Sequence, residues 1–267
     1  MKTKSWYVIT IIGTLLASMI VKGKLVGIWA LGQSAKGDGD LGVRHESPRL
    51  PIPPSGIINV AFVITDGATM IDFAGPWEVF QDAMFRSGGS AYRSERGMPE
   101  KMEDMHMPFR LYTVSDSTTP VTASGGMKIV PDYTFDNVPA PQVVVVPAQS
   151  GRSEALKQWL IKTAPTTDVT MSVCTGAGVL AFAGLLDGHH AATHHWYVDE
   201  LQRKYPKVRF QTGVRYVEGN KVSTSAGLTS GMDLALHVVE RYLGRDIAEA
   251  TVEYMEYESK DWQNPGH

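Results

Sequence analysis

The chain has a single cysteine, Cys174, standing between an apolar run and a run of small residues in "VTMSVCTGAGVLAFAGLLDG", residues 169–188. Where a strand gives way to a helix, a thiol meets unpaired backbone N–H groups and the positive end of the helix. Both favour the thiolate, the form that attacks an electrophilic carbon. Gly176, Ala177 and Gly178 let the helix approach the sheet and leave the sulfur uncrowded. The position also suits a plainer role, because unpaired cysteine is among the most buried residue types and often only fills space. Position alone leaves the two readings level.

The other residues that could do chemistry are histidines and methionines. "GHHAATHHW" carries His189, His190, His194 and His195. Imidazole suits zinc and copper, but no carboxylate or thiol stands beside them at ligand spacing, so we expect an exposed turn and no metal. "MPEKMEDMHM" places Met98, Met102, Met105, His106 and Met107 together. Such a cluster suits soft copper, and a surface loop of adaptable methionines accounts for it better. One cysteine excludes an intramolecular disulfide and any multi-cysteine metal site. No cofactor is expected.

The elements that must position Cys174 read as alternating strands and helices. "IINVAFVIT" (57–65), "FRLYTVS" (109–115), "PQVVVVPAQ" (141–149) and "VTMSV" (169–173) are near-continuous apolar runs, as in strands buried on both faces. "DGATMIDFAGPWEVFQDAMF" predicts a turn and a helix with Pro76 at its first position. Helices are also expected over 154–161, in "GVLAFAGLL", around 196–204, in "TSGMDLALHVVERYLG" closed by Gly244, and in "DIAEATVEYMEYES". "TPVTASGGMKIVPDYTF" and "VRYVEGNKVSTSAG" predict hairpins. The pattern predicts an α/β fold, a flavodoxin-like sandwich whose mainly parallel central sheet is covered by helices on both faces. Such sheets place ligands at the carboxyl ends of their strands, where Cys174 stands.

The 267 residues carry a net charge of −3, which excludes a broad nucleic-acid footprint. Residues 1–31 break the ordinary pattern. Lys2 and Lys4 precede an uncharged run from Trp6 to Val21, and Lys22 and Lys24 follow it. The run is short for a spanning helix and suits a signal peptide or an uncleaved membrane anchor. The expected location is therefore membrane-anchored or exported, with the membrane contacted through this segment if it is uncleaved. Residues 32–56, rich in Gly, Pro and charge, predict a linker ahead of a domain over 57–260.

"MIDFAGPWEVF", "SVCTGAGVLAFAGLLDGHHAATHHW" and "SAGLTSGMDLALHVV" together resemble the ThiJ/PfpI superfamily, of the class I glutamine amidotransferase-like fold. They are most similar to its isonitrile hydratase group and to the amidase-like sensor domains of AraC-type regulators. The resemblance makes Cys174 the nucleophile and Thr175 its neighbour at the helix start. It sets Asp72 beside the thiol as the acidic partner and makes Asp233 a further acidic residue of the site. A carboxyl group near sulfur can pass a proton as the thiol attacks, and burial can move its pKa toward the working range. Asp72 also fits a helix N-cap, and Asp233 fits a first-turn acid favoured by the helix dipole.

The family often carries a Gly-Gly pair after the valine-rich strand, where backbone N–H groups form an oxyanion-type pocket. Here Ala148 and Gln149 take those places, and Gly176 joins them on the expected pocket wall. Thr175 replaces the His that follows the cysteine in peptidase-like members, so proteolysis is not expected. The resemblance implies an enzyme acting on a small electrophile such as an isonitrile, giving an N-substituted formamide. The alternative is a non-catalytic ligand-sensing or stress-response domain outside the cytoplasm. A small-molecule substrate is expected and no nucleic acid, since residues 245–267 are too few for a helix-turn-helix module. Members of the family often pair, which makes a homodimer possible.

Overall fold

Four consecutive valines, Val143–Val146, are all 0–1% exposed. A strand so completely covered needs a packed layer on each side, and the alternation of side chains assigns the partners. Val143 and Val145 join one core cluster, and Val144 and Val146 the other.

The computed structural model describes residues 47–86, 88–91 and 104–266. The leader over 1–31, the first part of the linker, and Met98 and Met102 lie outside them. In chain order, β1 (Ile58–Val63) leads into α1 (Met70–Gln81), and β2 (Phe85–Arg86) pairs with β3 (Met105–His106). Next come β4 (Phe109–Ser115), the small hairpin β5 (Val121–Thr122) and β6 (Lys128–Ile129), and β7 (Tyr133–Thr134). β8 (Val143–Val146) precedes α2 (Glu154–Thr163), whose N-cap Ser153 accepts the Leu156 N–H at 3.1 Å. β9 (Val169–Ser172) delivers Cys174 to α3 (Gly176–Phe182). β10 (His190–Ala192), α4 (Val198–Lys204) and β11 (Arg209–Gln211) follow. β12 (Tyr216–Val217), β13 (Val222–Ser225), α5 (Ser230–Leu243) and α6 (Arg245–Tyr254) complete the fold.

The central sheet has seven strands in the order β12-β13-β9-β8-β1-β4-β7, parallel throughout except for the β12–β13 pair. One face carries Val79 and Phe80 of α1 and Leu234, Val238 and Val239 of α5. The other carries Leu156, Trp159 and Leu160 of α2 with Ala177, Val179 and Leu180 of α3. Each large side chain among these contributes about 1.5–3 kcal/mol when taken out of water. The expected α/β sandwich is the one observed.

Two local expectations change. α1 begins at Met70, so Pro76 lies inside the helix rather than at its first position. Having no N–H, Pro76 cannot bond the carbonyl of Asp72, four residues earlier. The last part of the predicted linker is held against the domain. The Leu50 N–H donates to the Arg241 carbonyl at 2.9 Å, and Arg241 Nε donates to the Pro48 carbonyl at 3.2 Å. Ser47 donates to the Glu218 carboxylate, which also pairs with Arg241 at 3.2 Å. Composition identified a tether, but these backbone groups find fixed partners on α5.

Strand order also locates the site. β4 and β7 lie on one side of β1, while β8, β9 and β13 lie on the other, so the chain reverses direction across the sheet between β1 and β8. Loops at such a switch point part and leave a crevice at the carboxyl ends of the strands. Asp72 follows β1, Ala148 follows β8 and Cys174 follows β9.

Candidate active site

Cys174 has a φ of +59°, one of three positive values at non-glycine residues among those described. That conformation costs an L-residue about 1–3 kcal/mol and persists only where surroundings enforce it. Here the surroundings do so. The Cys174 N–H donates to the Ala226 carbonyl at 2.9 Å, and the Thr193 hydroxyl donates to the Cys174 carbonyl at 3.0 Å. The backbone N–H groups of Thr175 and Leu228 are directed at the sulfur. Leu228 itself has a φ of +54°, so the second strained residue faces the first. The result is a sharp strand-to-helix elbow that holds the thiol still.

The charge on that thiol differs from the expectation. Burial, with the Asp72 carboxyl adding to it, pushes the Cys174 thiol up to about 11, against the lowering effect of the Thr175 and Leu228 N–H groups. The side chain is 7% exposed. A seven-residue helix and two amides do not outweigh lost hydration and a neighbouring carboxylate. At neutral pH the resting sulfur is a thiol.

Asp72 supplies what the thiol lacks. It is fully buried on the first turn of α1, and Thr69, not Asp72, is the N-cap. Burial raises its carboxyl to about 7, against the lowering effect of the Ala148 N–H, which donates to Oδ2 at 3.1 Å, and of the Cys174 thiol beside it. Oδ1 is buried and has no hydrogen bond of ordinary geometry among the described residues. A carboxyl group that is half ionised at neutral pH, lying against a thiol, can take the sulfur's proton as a bond forms and return it later.

Ala148 and Gln149 are used differently from the expected donor pocket. The Ala148 N–H is committed to Asp72, and the Ala148 carbonyl accepts the Thr69 N–H at 2.8 Å. Gln149 Oε1 accepts the Thr65 N–H at 3.0 Å, while its Nε2 is buried without a partner among the described residues. Neither residue has a positive φ, so replacing the family's glycine pair adds no backbone strain here. Ala148 thus braces the acid, while Gln149 braces Thr65 through its oxygen and keeps its amide nitrogen unpaired among the described residues.

Gly176 is likewise no donor, because its N–H goes to the Val173 carbonyl at 2.9 Å. It permits close packing instead: a Cβ there would lie 2.1 Å from the Val146 carbonyl oxygen. Gly176→Ala is expected to cost about 3 kcal/mol, through displacement of α3 from the end of β8. Urea unfolding measures this loss, and an unchanged midpoint would contradict the packing role.

Asp233 is committed to other partners. Its Oδ2 accepts from Arg215 Nε at 2.7 Å and from Nη2 at 2.5 Å. Its Oδ1 accepts from Tyr257 at 3.2 Å and from Ser259 at 2.7 Å. All four lone-pair directions of a carboxylate are thereby occupied, and the residue anchors the C-terminal segment. Thr175 is half-buried at the elbow and contributes its backbone N–H. Among the described residues no three His, Cys, Asp or Glu side chains are placed to share a metal. His194 Nδ1 instead accepts the Trp196 N–H at 3.2 Å.

Ala226, Leu228 and Thr193 are the positioning residues that sequence reasoning missed. "SAGLTSG" and "GHHAATHHW" contain them, but the Ala226 carbonyl and the Leu228 N–H have no residue-type signature, and one threonine hydroxyl looks like any other. Leu228, a bulky residue directly after glycine, is the one hint that the sequence offers.

Known proteins agree with this architecture. The chain is 29% identical over 216 residues to the HTH-type transcriptional regulator GbdR of Pseudomonas aeruginosa, covering 79% of this chain and 54% of the regulator. It thus spans about half the length of that relative. It is 26% identical over 205 residues to an isonitrile hydratase of Pseudomonas putida, covering 75% of this chain and 78% of the hydratase. A THiJ/PfpI family protein from Pseudomonas syringae superposes with a TM-score of 0.62 at 23% identity, covering 85% of this chain and 84% of its own. Drosophila melanogaster DJ-1beta superposes with a TM-score of 0.61 at 16% identity, covering 76% of this chain and 100% of its own. The family model described as DJ-1/PfpI matches residues 58–241, which contain every element of the elbow and its acid. The chain belongs to the DJ-1/PfpI family.

Proposed function

We propose that this chain is a thiol enzyme that hydrates a small electrophile of the isonitrile class to an N-substituted formamide. The observation that carries the reading is the buried Cys174–Asp72 pair, with a carboxyl group near 7 lying against the sulfur. The similarity to the Pseudomonas putida hydratase supports the substrate class.

The step sequence needs only this pair and water. Sulfur attacks the terminal carbon of R–NC while its proton passes to the Asp72 carboxylate. Asp72 delivers that proton to the same carbon, so the new C–S and C–H bonds give the thioimidate R–N=CH–S–Cys174. Asp72 takes one proton from water as the hydroxide adds to this carbon, passes it to the nitrogen, and then takes the remaining hydroxyl proton as the carbonyl forms. The C–S bond then breaks, the sulfur recovers a proton from Asp72, and R–NH–CHO leaves. The Thr175 and Leu228 N–H groups hold the charge that sulfur carries as it attacks and as it leaves.

Formamide release from an isonitrile, followed by chromatography together with intact mass of the protein, tests the reading. Product at more than one equivalent per chain is the expected result. A second reading, a ligand-sensing domain without turnover, draws on the likeness to regulators and on the raised thiol. It predicts a ligand-dependent rise in melting temperature and no product.

The proposal includes a place of action at or beyond a membrane, supported by the charge-flanked apolar run of residues 1–31. Expression of the full chain followed by fractionation is expected to put it in the membrane or exported fraction. Recovery only from the cytosol would refute that placement. No helix among the described residues is long and apolar enough to cross a membrane.

A further inference from the structure

A cavity of about 450 Å³ is lined in part by residues that position the nucleophile, and it has no part in the steps above. Thr193, Ala226 and Leu228 line it, and these are the residues that fix the carbonyl, the N–H and the sulfur of Cys174. Cys174 itself is not on the wall, and Leu228, whose N–H is directed at the sulfur, links the two. The cavity's size suits the body of a small molecule whose reactive end reaches the elbow.

Alongside side chains such as Gln211, Thr212 and Ser230, which both donate and accept, two supply donors of fixed character. Arg215 lines the cavity with its side chain one-third exposed. Its Nε and Nη2 are occupied by Asp233, Thr229 and Tyr257, whereas Nη1 carries no hydrogen bond among the described residues. His194 also lines it. Its Nδ1 accepts the Trp196 N–H, which leaves the proton of the neutral ring on Nε2. Burial and the neighbouring His195 lower the His194 pKa and favour that neutral ring. Gly227 makes room for it, since a Cβ there would lie 2.6 Å from His194 Cδ2.

Charge on the wall gives an anion no advantage. Arg215 already faces the buried Asp233 carboxylate and, at 3.8 Å, that of Asp261. A further carboxylate gains little from a cation so compensated, while a neutral carbonyl oxygen can still accept from Nη1–H and Nε2–H.

Resting on the hydration reading, we infer that this cavity receives the non-reacting tail of the substrate, a neutral group bearing hydrogen-bond acceptors such as an amide. Leu228, which belongs to both the wall and the elbow, marks where tail meets reacting carbon.

The test uses three isonitriles of equal length ending in an N-methyl amide, an alkyl group or a carboxylate, with methyl isocyanide as the tailless reference. The amide is expected to exceed the other two in kcat/KM by at least tenfold. Thr212→Trp fills the cavity from an exposed position on its wall. It is expected to remove that advantage and leave methyl isocyanide within about twofold. Thr212→Tyr replaces it if Trp lowers the melting temperature. Equal kcat/KM for the three tails, or an advantage that survives both variants, overturns the inference. If no isonitrile is hydrated, the hydration reading fails by itself. The cavity is then decided by the rate at which iodoacetamides carrying the same tails alkylate Cys174. A tenfold preference for the amide, lost in Thr212→Trp, upholds the inference, and equal rates overturn it.

Discussion

Cys174→Ser is expected to lower kcat/KM for isonitrile hydration by about 10⁴-fold or more, while the fold stays intact. A hydroxyl ionises far above a thiol and is the weaker nucleophile, so a carboxyl group near 7 activates it far less well. The elbow survives because its bonds to Ala226 and Thr193 use the backbone of residue 174, not its side chain. Far-UV circular dichroism together with steady-state kinetics measures both halves, and near-wild-type turnover by the serine variant eliminates Cys174 as the nucleophile. Stability offers an independent check. At φ +59°, Cys174→Gly is expected to be more stable than Cys174→Ala by about 1 kcal/mol, because glycine adopts that torsion without a Cβ clash. The ordinary order, alanine above glycine, would show that the elbow is not strained in solution.

Asp72→Asn is expected to cost about 10²–10⁴-fold in kcat/KM, the usual contribution of a positioned proton carrier. The reactive pair holds one proton, a thiol beside a carboxylate. Wild-type kcat/KM therefore rises as pH climbs through about 7 and stays level until the thiol itself ionises near 11. In the variant the step near 7 disappears, and residual activity climbs with pH alongside the thiolate fraction. A surviving step at 7 assigns that ionisation to another group.

The same residue ties stability to pH. Burial lifts Asp72 from 3.8 to about 7, so between these values the fold keeps a proton that the unfolded chain has released. The contribution is full below about pH 4 and is lost as pH rises to about 7, on the order of 4 kcal/mol in all. In Asp72→Asn the side-chain amide stays neutral throughout and keeps an oxygen for the Ala148 N–H. The variant's melting temperature is expected to exceed the wild type's at pH 8 and to match it near pH 4. A variant that melts lower at pH 8 shows that the carboxylate is stabilised in its ionised form, and the buried-acid assignment then fails.

Much of this protein was legible in one dimension, for identifiable reasons. Four valines in a row read as a strand covered on both sides, and the alternation of such runs with helices points to the parallel sheet. Cys174 at the end of such a strand, and Asp72 after another, are consequences of order along the chain. Three matters needed the tertiary structure. The thiol's pKa rises rather than falls because desolvation and the Asp72 charge come from residues distant in sequence, while the helix start is local and weaker. Asp233 became an anchor because Arg215, Tyr257 and Ser259 converge on it from separate segments. The N–H groups of Ala148 and Leu228 acquired their roles through position alone, since every residue except proline offers the same donor. Sequence determined which chemical groups exist and roughly where the sheet presents them. Folding decided which of those groups lost their water, and that loss sets the charge on the pair that would do the chemistry.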